Sequence, residues 1–332
     1  MANKILVGDC VSSMQGLEAG SINTCVTSPP YFGLRDYGVD GQIGLEPTPD
    51  AYVAKMVEVF REVRRVLRDD GTLWLNLGDS YASIGRSARK ESPGVGAKQE
   101  MKAVDRKVKW GSGGGTNFHW SIPAFGTQIK QKDLIGIPWR VAFALQADGW
   151  YLRQDIIWHK PNPMPESVRD RCTKAHEYIF LLSKKEKYYF DGEAIEEPVA
   201  CDEATQRRKN KTRNEERGKG DGNGTYHARG DAKPFSNWKP TRNKRSVWTV
   251  TTKPFKGAHF ATFPPALIEP CILAGCPVGG TVLDPFGGAG TTGLVAQRHG
   301  RNSILCELNP EYAKLAEARI AEDQRKRMEA LL

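Results

Sequence analysis

The stretch TVLDPFGGAGTTG, residues 281–293, decides the fold. Its first four residues are typical of a buried strand, and a helix is predicted over 291–299. Glycines between a strand and a helix let the backbone approach a ligand, and the first amides of the helix can bind a negative group. Glu307 ends the next predicted strand, 23 residues after Asp284, about where a Rossmann-type sheet places a ribose-binding carboxylate. The stretch predicts a nucleotide-like ligand; a tight turn without a ligand is the alternative.

Outward from this stretch, the chain alternates predicted strands and helices. Strands are predicted over 4–10, 23–27, 72–77, 151–159, 177–183, 281–284 and 303–306, with a small hairpin strand at 187–190. Helices are predicted over 53–66, 134–147, 264–274, 291–299 and after a capping Asn309, and Asp69-Asp70-Gly71 is expected to end the first. This alternation predicts an α/β fold with a doubly wound, Rossmann-like, mostly parallel sheet.

A second motif, TSPPY at residues 27–31, also follows a predicted strand. Two prolines stiffen the backbone and remove two donors, which leaves carbonyl groups free to accept hydrogen bonds. The hydroxyl of Ser28 can accept another hydrogen bond, and Tyr31 offers a flat face for stacking. An aromatic ring beside paired acceptors suits a planar base with an exocyclic amine. The alternative is a proline turn with a packed tyrosine.

The positive charge of the chain is concentrated in two segments. The whole chain has 332 residues and a formal net charge of +9. Residues 84–132 carry a net charge of +7 and residues 201–256 a net charge of +9, so the remainder carries −7. Both segments contain glycine runs and lack helix or strand periodicity. We therefore expect two basic insertions on a mildly acidic body, which indicates binding to a polyanion such as nucleic acid.

The composition excludes several other classes of protein. The seven cysteines are scattered without a C-x-x-C pair, which predicts reduced thiols and neither a disulfide framework nor a metal site. No apolar run approaches the roughly 18 residues of a membrane-spanning helix. The start of the chain lacks the features of a secretory signal. The expectation is a cytoplasmic protein without a membrane partner.

Together, the two motifs resemble those of the DNA amino-methyltransferases that use S-adenosyl-L-methionine, the cytosine-N(4)/adenine-N(6) family. In that family a D-P-F-x-G-x-G-T-T loop binds the cofactor, and an (S/D/N)-P-P-(Y/F) tetrapeptide binds the flipped base. Here the tetrapeptide precedes the loop by about 250 residues, with a basic segment between them. This order is similar to the circularly permuted beta class, and the resemblance covers most of the chain except the two insertions. It implies a permuted class I methyltransferase fold.

The resemblance also implies a division of the chain. Residues 1–83, 132–200 and 257–332 would form the catalytic domain. Residues 84–131 would form a basic, flexible insertion that can clamp DNA, and residues 201–256 would form the target-recognition region. The signatures NLGDSY at 76–81, WHKPNPMP at 158–165 and HFATFPP at 259–265 are similar to motifs of the same class.

Roles for individual residues follow from the resemblance. The implied catalytic residues are Ser28, Pro29, Pro30 and Tyr31. The implied cofactor-binding residues are Asp9, Cys10, Thr262, Asp284, Phe286, Gly288, Gly290, Thr291, Thr292 and Glu307. The candidate DNA-binding residues are Lys107, Arg207, Arg208, Arg213, Trp238, Arg242 and Arg245.

The implied activity is methyl transfer to a base flipped out of double-stranded DNA. In the family, serine in the first position is typical of enzymes for the 4-amino group of cytosine, and Asp or Asn of those for the 6-amino group of adenine. Some members with serine modify adenine. We therefore expect cytosine N4, with adenine N6 as the alternative.

Three other functions are less favoured. RNA and protein methyltransferases usually place the cofactor loop first, and a non-enzymatic DNA-binding module would not need the glycine loop with two acids. Methylation of a cytosine ring carbon would need a nucleophile such as Cys271 of the Pro270-Cys271 pair, which falls in a predicted helix. We expect a monomer or homodimer in a prokaryotic cell or phage-infected host, and any restriction endonuclease partner is expected to be a separate protein.

The two basic segments predict that DNA affinity depends steeply on salt. Lysines and arginines that neutralise phosphates release counterions, and added salt opposes that release. We expect the affinity for duplex DNA to fall at least about tenfold between about 50 and 200 mM salt. Binding titrations across this range measure the slope, and a flat profile would contradict a DNA-binding role for both segments.

Overall fold

A computed structural model describes residues 2–34, 38–82, 129–199, 239–252 and 263–330. The strands are β1 (Asn3–Val7), β2 (Ile22–Thr27), β3 (Leu67–Leu77), β4 (Tyr151–His159), β5 (His176–Ser183), β6 (Glu197–Pro198), β7 (Thr241–Arg242), β8 (Val247–Thr249), β9 (Thr281–Asp284) and β10 (Asn302–Glu307). The helices are α1 (Cys10–Gln15), α2 (Pro49–Val66), α3 (Ile137–Ala147), α4 (Pro265–Gly275), α5 (Thr291–Arg298) and α6 (Pro310–Glu329), with a 3-10 turn at Glu193–Ile195.

Eight of these strands form one sheet in the order β1-β10-β9-β2-β3-β5-β4-β8. The first five in this order are mutually parallel, and β5 lies antiparallel between β3 and β4. The carboxyl ends of the parallel strands and the amino end of β5 therefore meet at one edge of the sheet, which we call the catalytic edge. Strands from the two ends of the chain are neighbours in this sheet, since β1 pairs with β10 and β2 with β9.

Helices cover both faces of the sheet, which confirms the doubly wound α/β prediction. One apolar cluster lies under α1, α2 and α3 and includes Met14 and Phe60. The other lies under α4, α5 and α6 and includes Ile272 and Val295. Strands buried on both faces are expected to be almost continuously apolar rather than alternating. This explains why short runs such as TVLD indicated strands correctly.

The structure differs from the sequence prediction around the first long helix. Helix α2 begins at Pro49, four residues earlier than predicted, because the side chain of Thr48 caps it by accepting from the Ala51 amide at 3.1 Å. The prediction that Asp69-Asp70-Gly71 ends this helix is wrong. The helix ends at Val66, and the three residues lie in β3, whose first residue Leu67 pairs with β2.

Three smaller elements also differ. The six-residue helix α1 was not predicted: the apolar run 4–10 was expected to end in a Gly-Asp turn, and the helix follows that turn directly. Helix α3 begins at Ile137 rather than Leu134, after Gly136 in a left-handed conformation with φ of 78°. The predicted hairpin strand at 187–190 is wrong. Those residues form no strand, and the Tyr189 amide donates to the Asp70 carbonyl at 2.9 Å instead.

Most of the two basic segments lies outside the described residues. Only 129–131 of the predicted clamp and 239–252 of the predicted target-recognition region are described. The proposed division of the chain therefore stays a prediction. Within the described ranges, the helices are too short or too polar to cross a membrane.

Gly290 provides a test of how the glycine loop packs against α6. Its φ is 73°, and a Cβ atom there would lie 2.8 Å from the Cβ of Ala316. We expect Gly290→Ala to lower the free energy of unfolding by about 2–4 kcal/mol, because backbone strain and overlap with α6 add.

Gly279→Ala is the matched control, since its φ is 80° but a Cβ there meets nothing within 4 Å. It should lower the free energy of unfolding by only about 1 kcal/mol. Urea denaturation of both variants measures the difference. Equal losses would contradict the packing described here.

Candidate active site

The carboxylate of Asp284, at the end of β9, joins the two sequence motifs. Its Oδ1 accepts from the Thr27 hydroxyl at 2.6 Å and from the Phe286 amide at 3.0 Å, and its Oδ2 accepts from the Thr292 hydroxyl at 2.7 Å. Asp284 is only 1% exposed, and burial raises its pKa although the three donors lower it. Both oxygens are bound within the protein. The structure therefore places Asp284 and Thr292 beneath the loop, as a brace between the motifs.

The glycine loop after β9 is held by contacts to β10 and α6. The Gly287 amide donates to the Cys306 carbonyl at 2.8 Å, and the Gly288 amide donates to Glu307 Oε2 at 2.7 Å. Gly288 has a φ of 48°, and the atom nearest to a Cβ there would be 3.9 Å away. Open space therefore adjoins Gly288, whereas Gly290 packs closely against α6. A ligand can approach the backbone at Gly288.

Arg319 of α6 supports the loop from below, a role that the sequence did not indicate. Its guanidinium donates to the Ala289 carbonyl at 2.8 Å and to the Thr291 hydroxyl at 2.9 Å. The predicted cofactor residue Thr291 is thus buried at the start of α5 and bound to α6. Helix α6 is mostly polar, so its sequence does not distinguish an arginine that supports the loop from one that is exposed to solvent.

Two carboxylates lie beside the loop, at the ends of neighbouring strands. Glu307 accepts from the Asn309 amide at 2.9 Å in addition to Gly288, and burial is the main cause that raises its pKa. Asp9 follows β1 and caps α1 by accepting from the amide and the hydroxyl of Ser12, both at 2.9 Å. The register Val7↔Glu307 brings the two strand ends together.

The glycine loop, Glu307 and Asp9 form what we call the cofactor ledge, and the other described residues predicted there are partly or fully buried. Phe286 is half-buried and packs against the apolar cluster under α1 to α3. Cys10 is 6% exposed at the start of α1, and burial raises the pKa of its thiol to about 12. Cys10 is therefore a neutral core side chain, and Thr262 lies outside the described residues.

The tetrapeptide after β2 is fixed by contacts on both sides. Pro29 is buried, and the Pro30 carbonyl accepts from the hydroxyl of the fully buried Tyr52 at 2.9 Å. The ring of Tyr31 packs on Gly78, where a Cβ atom would come within 2.5 Å of Tyr31 Cε2. Only a glycine at position 78 leaves room for this ring. Ser28 is half-buried, next to Tyr31.

A buried polar network surrounds the Tyr31 hydroxyl. It donates to Glu177 Oε2 at 2.6 Å, and the Ser28 Oγ lies 3.5 Å from the Tyr31 oxygen. Lys160 forms an ion pair with Glu177 Oε1, and the side chains are 18% and 15% exposed. The side-chain amide of Asn76 donates to Glu177 Oε2 at 3.3 Å. Burial and the charge of Glu177 raise the pKa of Tyr31, so its phenol stays neutral.

Sequence reasoning missed Glu177 in this network. It appeared only as the start of a predicted strand, while Asn76 and Lys160 belonged to the signatures NLGDSY and WHKPNPMP without assigned roles. The antiparallel placement of β5 brings the amino end of that strand to the catalytic edge. That orientation could not be deduced from hydrophobic periodicity.

The structure describes two of the predicted DNA-binding residues, and both contact an acid. Arg242 donates to Glu197 Oε1 at 2.9 Å, and Arg245 forms an ion pair with the same oxygen. Their side chains are 38% and 69% exposed. Contact with DNA stays a prediction for both. The other candidate DNA-binding residues lie outside the described part of the chain: Lys107, Arg207, Arg208, Arg213 and Trp238.

Cys271 does not have the properties of a nucleophile for methylation of a cytosine ring carbon. It lies in α4, is 1% exposed, and its thiol faces the Leu267 carbonyl. Burial raises its pKa far above the ordinary value. Both the place and the protonation state of this thiol argue against that alternative.

Comparison with protein families and sequences gives a consistent result. The family model described as DNA methylase, N6_N4_Mtase, matches residues 22–318. The chain is 47% identical over 317 residues to the type II methyltransferase M.SmaI of Serratia marcescens. The aligned region covers 96% of this chain and 90% of that protein. It is 45% identical over 313 residues to the type II methyltransferase M.Cfr9I of Citrobacter freundii, which covers 94% and 86%.

Solved structures with the same fold include two proteins described as DNA methylases. The PvuII DNA methyltransferase, described as cytosine-N4-specific, superposes with a TM-score of 0.60 at 18% identity and covers 98% of this chain and 92% of its own. A putative DNA modification methylase of Thermus thermophilus, TTHA0409, was solved with S-adenosyl-L-methionine. It has a TM-score of 0.54 at 23% identity and covers 97% and 95%. These similarities confirm the class I methyltransferase fold.

Proposed function

The chain belongs to the DNA methylase family, and from this premise we propose that it methylates the 4-amino group of cytosine in duplex DNA. The observation that carries the proposal is the junction at Asp284, which holds a Ser-Pro-Pro-Tyr tetrapeptide beside a glycine loop. The tetrapeptide offers hydrogen-bond acceptors for an amine, and the glycine loop belongs to the ledge that can hold a nucleoside-like cofactor. The family contains enzymes for cytosine N4 and adenine N6, so the same chemistry on adenine is the alternative.

The cofactor of this family is S-adenosyl-L-methionine, which supplies a methyl group on a positively charged sulfur. The residues at the ledge fit its nucleoside part. Glu307 and Asp9 place carboxylate oxygens at adjacent strand ends, Phe286 offers an apolar surface, and Gly288 leaves open space beside the backbone. Carboxylates at such strand ends suit ribose hydroxyls and an adenine amine. We assign ribose binding to Glu307 and adenine contact to Asp9.

The tetrapeptide supplies the groups that would orient the base. The lone pair of an exocyclic amine is delocalised into the ring, so the nitrogen is a weak nucleophile. Hydrogen bonds from its two protons to Ser28 Oγ and to the Pro29 carbonyl would favour a tetrahedral nitrogen aimed at the methyl group. Because the Tyr31 hydroxyl donates to Glu177, the Ser28 hydroxyl can donate to the Tyr31 oxygen 3.5 Å away, and the Ser28 oxygen keeps lone pairs for the amine. The Tyr31 ring would stack on the flipped base.

The choice of cytosine depends on Ser28, because serine in this position is typical of cytosine-4-amino enzymes of the family. The relatives M.SmaI and M.Cfr9I are named type II methyltransferases. This supports a restriction-modification role, with a cognate endonuclease as a separate protein. We assign target recognition to residues 201–256 and a DNA clamp to residues 84–131, because the positive charge is concentrated there.

Mass spectrometry of nucleosides tests the proposed base. DNA is incubated with the purified protein and S-adenosyl-L-methionine, digested and analysed. We expect N4-methylcytosine. Exclusive N6-methyladenine would overturn the choice of base but keep the reaction. The proposed function itself would be overturned if the protein methylated no base in a DNA substrate that contains all short sequence combinations.

The Ser28→Ala variant tests the proposed role of the hydroxyl. We expect kcat to fall at least about 100-fold, because one acceptor for the amine is lost. The dissociation constant for S-adenosyl-L-methionine should change less than about twofold. Labelled-methyl transfer and calorimetry measure the two quantities.

Ser21→Ala is the control for this substitution, since Ser21 is exposed just before β2, at the opposite edge of the sheet. Its turnover should equal that of the wild type. Wild-type turnover by Ser28→Ala would remove Ser28 from the mechanism.

A further inference from the structure

We propose that Glu177 accepts, through Tyr31 and Ser28, the proton that the methylated amine must release. This inference rests on the proposed function, because it takes the amine to be bound at Ser28. It concerns a step that neither sequence motif explains. The nitrogen gains a methyl group and must then lose one of its protons.

The hydrogen bonds in this network have one consistent direction. The Tyr31 hydroxyl carries a single proton, and its shortest contact is to Glu177 Oε2 at 2.6 Å, against 3.2 Å to Asn76 Oδ1. The Tyr31 oxygen is then the acceptor for the Ser28 hydroxyl at 3.5 Å. The Ser28 oxygen, in turn, is free to accept from the amine. Each donor points away from the base and towards Glu177.

The transfer can be written so that atoms and charges balance. The amine nitrogen forms a bond to the methyl carbon with its lone pair, while the carbon–sulfur bond breaks and its electron pair stays on sulfur. The nitrogen then carries a positive charge and one surplus proton. That proton passes to the Ser28 oxygen, the Ser28 proton passes to the Tyr31 oxygen, and the Tyr31 proton passes to Glu177. The products are a neutral methylated amine and a neutral carboxylic acid.

Glu177 has the properties that this role needs. Lys160 pairs with Oε1, which leaves Oε2 for Tyr31, and 15% exposure of the Glu177 side chain allows the proton to exchange with solvent. A conjugated amine that has lost its lone pair to a new bond is a strong acid, so a carboxylate can accept its proton. The raised pKa of Tyr31 keeps the phenol neutral, so Tyr31 releases a proton only as it receives one.

Asp79, the residue after the Gly78 on which the Tyr31 ring packs, has a carboxylate that is already bound. Asp79 follows β3, and its Oδ1 accepts from the amides of Ser80, Gly136 and Ile137 at 2.9 to 3.1 Å. These bonds fix the start of α3. Among the described residues that contact Tyr31, Glu177 is the carboxylate that can take a proton.

Glu177→Gln tests this inference with little change in shape. The glutamine oxygen can still accept from Tyr31, but it cannot take the proton. We expect kcat to fall at least about tenfold, while KM for DNA and the affinity for S-adenosyl-L-methionine change less than about twofold.

Tyr31→Phe and the double variant test the route. Tyr31→Phe keeps the ring but removes the hydroxyl, so kcat should again fall at least about tenfold. Because both substitutions interrupt the same route of proton transfer, the double variant should be no slower than the slower single variant. Glu186→Gln, an exposed glutamate just beyond the other end of β5, is the matched control and should turn over like the wild type.

Base flipping is measured separately, by the fluorescence of 2-aminopurine at the methylated position. All variants should give the wild-type signal. Wild-type kcat in Glu177→Gln, additive losses in the double variant, or a loss confined to KM or flipping would each overturn the proton route. A wild-type protein that methylates no DNA would instead refute the proposed function itself.

Discussion

A buried carboxylate needs hydrogen-bond donors, and the donors of Asp284 come from three places in the chain. Thr27 ends β2, Phe286 lies in the glycine loop, and Thr292 lies in the first turn of α5. A carboxylate that is 1% exposed is costly to leave without partners. The structure around Asp284 therefore forms only when the tetrapeptide strand, the loop and the helix meet. The rest of the candidate site depends on this meeting.

From this junction, the two parts of the site extend in opposite directions along the catalytic edge. The cofactor ledge runs from the glycine loop to Glu307 and Asp9, across β10 and β1. The base-binding part runs from Ser28 and Tyr31 towards Glu177, across β3 and β5. Because strand ends meet at one edge whatever their order in the chain, a permuted sequence can assemble the same chemistry. This is why the tetrapeptide can precede the cofactor loop by so many residues.

The sequence predicted the parts of the fold that depend on local patterns. Short apolar runs indicated the strands of the sheet, and Asn309 with Pro310 correctly indicated the start of α6. The start of α2 was missed because it is set by the side-chain cap at Thr48, which precedes the run of aliphatic residues that indicated the helix. The two motifs were found because glycines and prolines leave a local pattern. The partners Glu177 and Arg319 leave none, since each acts on residues more than 25 positions away. The bracing role of Asp284 could also not be predicted, because a carboxylate before a glycine loop looks the same whether it faces a ligand or the core.

The most direct test of this account is the affinity of the Thr27→Val variant for S-adenosyl-L-methionine, measured by calorimetry. Thr27 belongs to the tetrapeptide side, and its hydroxyl reaches the cofactor side through Asp284. Loss of its hydrogen bond should weaken cofactor binding by about 1–3 kcal/mol. Thr24→Val removes a buried hydroxyl from the same strand, one bonded to Thr72, and should leave the affinity unchanged. If a folded Thr27→Val protein binds the cofactor as tightly as the Thr24→Val control, Asp284 does not join the two parts of the site.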